Sequence, residues 1–141
     1  MIQRKQSVYL LLGALSLSAI FFLDGGFDPQ ATASLSWYVP ALVATGAVTV
    51  ILAVVAIFLY DNRPLQKKVV VGVQVLDLAF LILLVAGMLL TDTLEFSAGD
   101  PNGLGRMLVL LLPIVAYVFF YLARRGIQAD IDLVRSMDRL R

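Results

Sequence analysis

The 141-residue chain is 60% apolar and only 15% charged, with a mean hydropathy of +0.91 and a net charge of +1. Soluble domains carry about 25% charged residues, so bilayer arithmetic applies instead, at about 20 apolar residues per spanning helix. Cysteine and histidine are both absent, which excludes disulfides, thiolate metal sites, histidine-ligated haem, thiol nucleophiles and histidine acid–base chemistry.

The first uncharged apolar run covers residues 8–23 and includes Ser16 and Ser18. Arg4 and Lys5 before it, with Ala31-Thr32-Ala33 after it, also match a cleavable signal peptide, whose apolar core runs about 7–15 residues. This run is longer, and Asp24 and Asp28 precede the cut, so a retained span is expected. The second span, 37–60, has Trp37 and Tyr60 at its ends, where interfacial rings sit. Pro40 lies in its first turn, where no intrahelical hydrogen bond is lost. The third, 69–90, contains Gln74 and Asp77, and the fourth, 104–123, carries Pro113 at its middle. Such a proline frees a carbonyl one turn earlier and kinks the helix, a cost that neighbouring helices can absorb.

These spans make up a transmembrane domain over 1–126, and 127–141 forms a tail. There Ile127, Ile131, Val134, Met137 and Leu140 recur at amphipathic-helix spacing. Asp132 with Arg135, Arg135 with Asp138, and Asp138 with Arg141 are i,i+3 pairs of opposite sign. A helix this short is marginal alone. Its apolar side should be covered by lipid headgroups, by the 63–68 connection or by a partner; the plainer alternative is a frayed continuation of the fourth span. The expected fold is all-α and integral to the membrane: an antiparallel four-helix transmembrane bundle with a short C-terminal cytoplasmic amphipathic helix.

Orientation follows from the basic residues in the connections. Arg4, Lys5, Arg63, Lys67, Lys68, Arg124, Arg125, Arg135, Arg139 and Arg141 fall on one side, and Arg106 alone on the other with Asp24, Asp28, Asp92, Glu95 and Asp100. Both termini are therefore expected in the cytoplasm. Asp24-Gly25-Gly26, Asp28-Pro29 and Asp100-Pro101-Asn102-Gly103 read as turns. The five external carboxylates lack EF-hand spacing and are expected to be solvated rather than metal-binding. Of the basic residues, Arg4, Lys5, Arg63, Lys67, Lys68, Arg124, Arg125, Arg135 and Arg139 are candidate contacts for a protein partner or for anionic headgroups, at about 1 kcal/mol each near the surface.

Lipid gives little drive for helix association, so small residues should mark the contact faces. Ala14 with Ser18, the stripe Thr45, Thr49 and Ala53, the heptad series Gly72, Ala79 and Ala86, and Ala116 with Ala123 are the expected seams. Asp77 stands about 12 Å along its helix from residue 69, near mid-membrane, where an ionised acid is expensive and should be paired or protonated. Apart from Arg106 near the start of the fourth, no lysine or arginine lies within the expected spans. Gln74 is one turn away, and equal depth brings Ser16, Thr49 and Tyr117 to its level as possible hydrogen-bond partners. Asp77 reads in two ways: as a proton- or cation-coupling site, or as an interhelical hydrogen-bonding group that fixes packing.

Met1-Ile2-Gln3-Arg4-Lys5-Gln6 running into Tyr9-Leu10-Leu11-Leu12, the Asn62-Arg63-Pro64-Leu65-Gln66 connection, Leu112-Pro113, and Leu122-Ala123-Arg124-Arg125-Gly126-Ile127 together form a pattern. With the tail Leu133-Val134-Arg135-Ser136-Met137-Asp138-Arg139-Leu140-Arg141, it resembles the bacterial four-span family known as domain of unknown function 4293. The resemblance implies a place in the cytoplasmic membrane of a Gram-negative cell and implies no activity or catalytic residue. An intramembrane enzyme finds no nucleophile–base pair, metal set or phosphate loop here, and no cofactor is expected. The expected partners are the lipid bilayer and other membrane subunits or a second copy, not nucleic acid. Two functions follow: an accessory subunit or adaptor presenting its cytoplasmic face, or a small transporter coupled through Asp77.

Overall fold

The computed structural model describes residues 2–23, 35–91 and 103–138, and every regular element among them is helical. Helix α1 covers Ile2–Ala19 and closes with a 3-10 turn, Ile20–Phe22; α2 covers Tyr38–Phe58, α3 Arg63–Leu90 and α4 Gly103–Asp138. All four are long and apolar enough to cross a membrane, the pattern of a multi-pass membrane protein. The acidic connections, with their turn, cleavage and calcium readings, lie outside the described residues.

Helix α1 starts at Ile2, six residues before its apolar run, and two further helix boundaries differ for a local reason. Helix α3 begins at Arg63 rather than near residue 69, because Asn62 Oδ1 accepts from Leu65 N at 3.2 Å and Pro64 occupies the first turn. That cap satisfies an otherwise orphaned donor, and proline there needs no partner. Helix α4 passes through Gly126 without a break, so the tail is the last part of the fourth helix and not a separate element. Ile127 is fully buried and Ile131 packs on the core, but Val134 and Met137 are exposed. Cover for the tail's apolar face therefore stops after its first turn. Among described side chains the expected Asp132–Arg135 pair is absent; Asp132 Oδ1 accepts instead from Gln128 Nε2 at 2.7 Å.

The helices form a ring in which sequence neighbours pack side by side and α4 closes against α1. Cross-helix contacts fix the directions. Tyr9 stacks on Phe119 and Gln6 bonds Asp130, so α1 and α4 are antiparallel. Gln66 reaches Ala56 and Tyr38 reaches Leu84, so α2 and α3 are too.

Each helix buries a seam with seven-residue repetition, as left-handed bundles require. On α4 it runs Val109, Pro113, Ala116, Phe120, Ala123, Ile127 and Asp130; on α3 it runs Gln66, Val70, Val73, Asp77, Phe80, Leu84 and Gly87. Ala14, Thr49, Ala53, Ala116 and Ala123 lie on their seams as expected, whereas Ser18 and Thr45 are only partly buried. The α3 expectation fails: Gly72, Ala79 and Ala86 are only partly buried, and a side chain at Gly72 would meet nothing within 4 Å. The small residue that α3 does place inward is Gly87, against the Tyr38 ring, where no Cβ fits. The Tyr38 hydroxyl then donates to the Leu84 carbonyl at 3.3 Å.

Candidate functional site

The polar residues of the seams gather at two levels. One lies at the basic end, where the start of α1, the α2–α3 connection and the end of α4 meet. Asp130, 6% exposed, accepts through Oδ2 from Gln6 Nε2 at 2.9 Å and pairs with Arg63 Nη1 at 3.0 Å. Three helices thus converge on one carboxylate oxygen. Charge-assisted bonds of this length are the stronger kind. Gln66, also buried, donates to the Ala56 carbonyl at 2.8 Å. That carbonyl belongs to the last turn of α2, where no intrahelical donor follows. Gln66 therefore caps α2 from α3 and completes a clasp across all four helices.

Gly126 makes room for this clasp. A Cβ there would stand 2.9 Å from Gln6 Cγ, so any side chain would displace the glutamine that reaches Asp130. The residues behind the family resemblance thus have mechanical roles: Asn62 caps, Arg63 and Gln6 hold Asp130, Gln66 caps α2, and Gly126 admits Gln6.

The second level is Asp77, 1% exposed, about 16 Å along α3 from Gln66 at 1.5 Å per residue. Neither of its carboxylate oxygens has a hydrogen-bond partner, and neither does Gln74 Nε2. Two of the three hydroxyls expected to serve it are engaged elsewhere. Ser16 donates to the Leu12 carbonyl and Thr49 to the Thr45 carbonyl, each at four residues' separation on its own helix. Tyr117 is partly buried on α4. Gln74 turns its Oε1 toward Arg124 Nη1 at 3.3 Å, so one basic residue of the expected surface collar reaches back to the turn beside Asp77.

The other expected basic contacts divide by geometry. Arg63 pairs with Asp130 through Nη1 and keeps 29% of its side chain exposed. Lys5 and Arg125 are exposed, and Lys67, Lys68 and Arg135 border a shared cleft. Arg139 and the side chain of Arg4 lie outside the described residues. No group of three or more acidic, cysteine or histidine residues that could hold a metal occurs among the described residues. Sequence reasoning gathered Gln66 with Arg63 at the basic end but missed Gln6 and Asp130 as site residues. The available signal was the seven-residue step from Ala116 to Ala123, which, extended once more, lands on Asp130.

A family described as a domain of unknown function, number 4293, matches residues 27–140. No curated protein and no solved structure matches the chain.

Proposed function

The chain belongs to the domain of unknown function 4293 family, and from that premise and the form of its basic end we infer a non-enzymatic accessory subunit or adaptor that acts by association. In this reading it sits in a bacterial inner membrane with both termini in the cytoplasm, as the concentration of lysine and arginine at the basic end favours. The carrying observation is the end of α4. Past the clasp it projects as a helix with Leu133, Val134 and Met137 exposed, Met137 at 58%, beside Arg135. A helix with an apolar stripe and charged flanks suits a groove on another subunit.

The test is purification of the intact protein in mild detergent, beside a Leu133→Asp/Met137→Asp variant. Both positions are exposed, so the bundle should survive. A membrane subunit that co-purifies in fixed ratio with wild type and is lost from the variant supports the reading. An isolated protein in both cases ends it. Orientation is checked separately: a reporter active only in the cytoplasm, fused after Arg141, should work, and one active only in the periplasm should fail.

A specific observation favours a second reading, coupling of transport to a proton or cation at Asp77. Its carboxylate is buried without partners, and intramembrane acids commonly serve such coupling. Proton flux into vesicles that Asp77→Asn abolishes at unchanged stability would support it. Equal near-zero flux for wild type and variant would remove it.

A further inference from the structure

Between the first turns of α3 and the last turns of α4 lies an open cleft of about 410 Å³. Lys67, Lys68 and Arg135 line it together with the apolar Val71 and Ile131. No described carboxylate is ion-paired with any of the three cations. The nearby acids are engaged, Asp130 by Gln6 and Arg63 and Asp132 by Gln128 Nε2. Gln128 also lines the cleft, and its Oε1 is buried without a hydrogen-bond partner. Three cations and a buried acceptor call for an anion that also carries a donor. From Lys68 and Val71 the same face of α3 continues through Val75, Leu78 and Ile82, all exposed. The spacing of three and four residues keeps them in one line, an apolar track that starts at the cleft.

We propose that this cleft binds the headgroup of an anionic glycerophospholipid bearing hydroxyls, of the phosphatidylglycerol type. The phosphodiester lies against Lys67, Lys68 and Arg135, a headgroup hydroxyl donates to Gln128 Oε1 as that side chain turns into the cleft, and an acyl chain follows Val71, Val75 and Leu78. A soluble phosphate compound would satisfy the cations and leave the apolar track unused. A choline headgroup has neither net charge nor a donor. The proposal rests on the bundle lying in a bilayer with its basic end at one surface, and not on which subunit the end of α4 meets.

The experiment is native mass spectrometry of the full chain in mild detergent, titrated with phosphatidylglycerol, phosphatidylmethanol, phosphatidylcholine and soluble glycerol phosphate. Phosphatidylmethanol keeps the charge and lacks the donor. One phosphatidylglycerol should bind per chain, more tightly than phosphatidylmethanol, with phosphatidylcholine weakest. Lys67→Gln/Lys68→Gln/Arg135→Gln should weaken phosphatidylglycerol roughly a hundredfold, at about fivefold per charge. Gln128→Met should erase the preference over phosphatidylmethanol. Should the triple variant lose helix content, Lys68→Gln alone, at an exposed position, must still show the fivefold drop. Undiminished binding by the folded charge variants, equal binding of phosphatidylcholine, equal binding of phosphatidylmethanol to wild type, or displacement of the lipid by equimolar glycerol phosphate would each overturn the assignment. Loss of the co-purifying subunit leaves every one of these readings in place, so the two proposals fail separately.

Discussion

Asp130 and Asp77 both occupy inward seam positions of the same bundle, both nearly fully buried, yet their surroundings are opposite. Asp130 holds Gln6 and Arg63 on one oxygen; Asp77 holds nothing on either. The difference lies in what the neighbouring helices can supply at each depth. Near the basic end, long glutamine and arginine side chains sit at helix starts and can lean across to a neighbour. Deeper in, Gln74 turns its oxygen toward Arg124, and a helical serine or threonine bonds the carbonyl four residues back. Ser16, Ser18, Thr45 and Thr49 all do so. Depth, more than burial, separates a carboxylate that fastens the fold from one left with its bonding capacity unspent.

The contrast breaks most visibly at Asp130. Asp130→Ala should cost about 3 kcal/mol, because it removes two charge-assisted bonds and leaves Arg63 and Gln6 without their acceptor. Thermal unfolding in detergent would measure it; a loss below about 1 kcal/mol would mean that the clasp contributes little. At Asp77 the sign should reverse. Asp77→Leu removes a buried polar group with no partner to strand, so stability should stay level or rise by about 1–2 kcal/mol. This departs from the expectation of an interhelical hydrogen-bonding acid, whose loss would loosen packing by about 0.6 kcal/mol. A clear loss on Asp77→Leu would restore that role.

Smaller effects sharpen the same comparison. Gln6→Leu should cost about 1 kcal/mol, and a double-mutant cycle with Asp130→Ala should return a coupling of about 0.5–3 kcal/mol. Zero coupling would show that the 2.9 Å contact is not felt in solution. The same cycle between Gln6 and Asp77 should return nothing. Gly126→Ala should have the smallest effect, a net loss under about 0.5 kcal/mol. Alanine gains about 1 kcal/mol of helix propensity over glycine, which is offset by the displacement of Gln6 from Asp130. If the variant were more stable by the full propensity gain, Gly126 would have no part in the clasp.

Four spans, the antiparallel bundle they form and the gathering of basic residues at one end were all legible in the order of the residues. That order also marked inward residues on three helices, Ala14 on α1, Thr49 and Ala53 on α2, and Ala116 and Ala123 on α4. These follow from hydropathy summed along the chain and from the need for small residues where helices touch. The rest was decided by tertiary structure. In a bilayer the outward face of a helix is as apolar as the inward one, so periodicity on α3 could not tell Gly72, Ala79 and Ala86 from the true seam through Asp77 and Gly87. Its neighbours made that choice. The continuity of α4 was one of two open readings, because Gly126 reads locally as a helix-weakening residue and acts here as space for Gln6. Asp130 looked like one acid in a charged tail; only the arrival of Gln6 and Arg63, from two other helices, made it the fastening of the fold. Apolar content is a property of each segment alone, whereas a hydrogen bond between helices exists only once both have been placed.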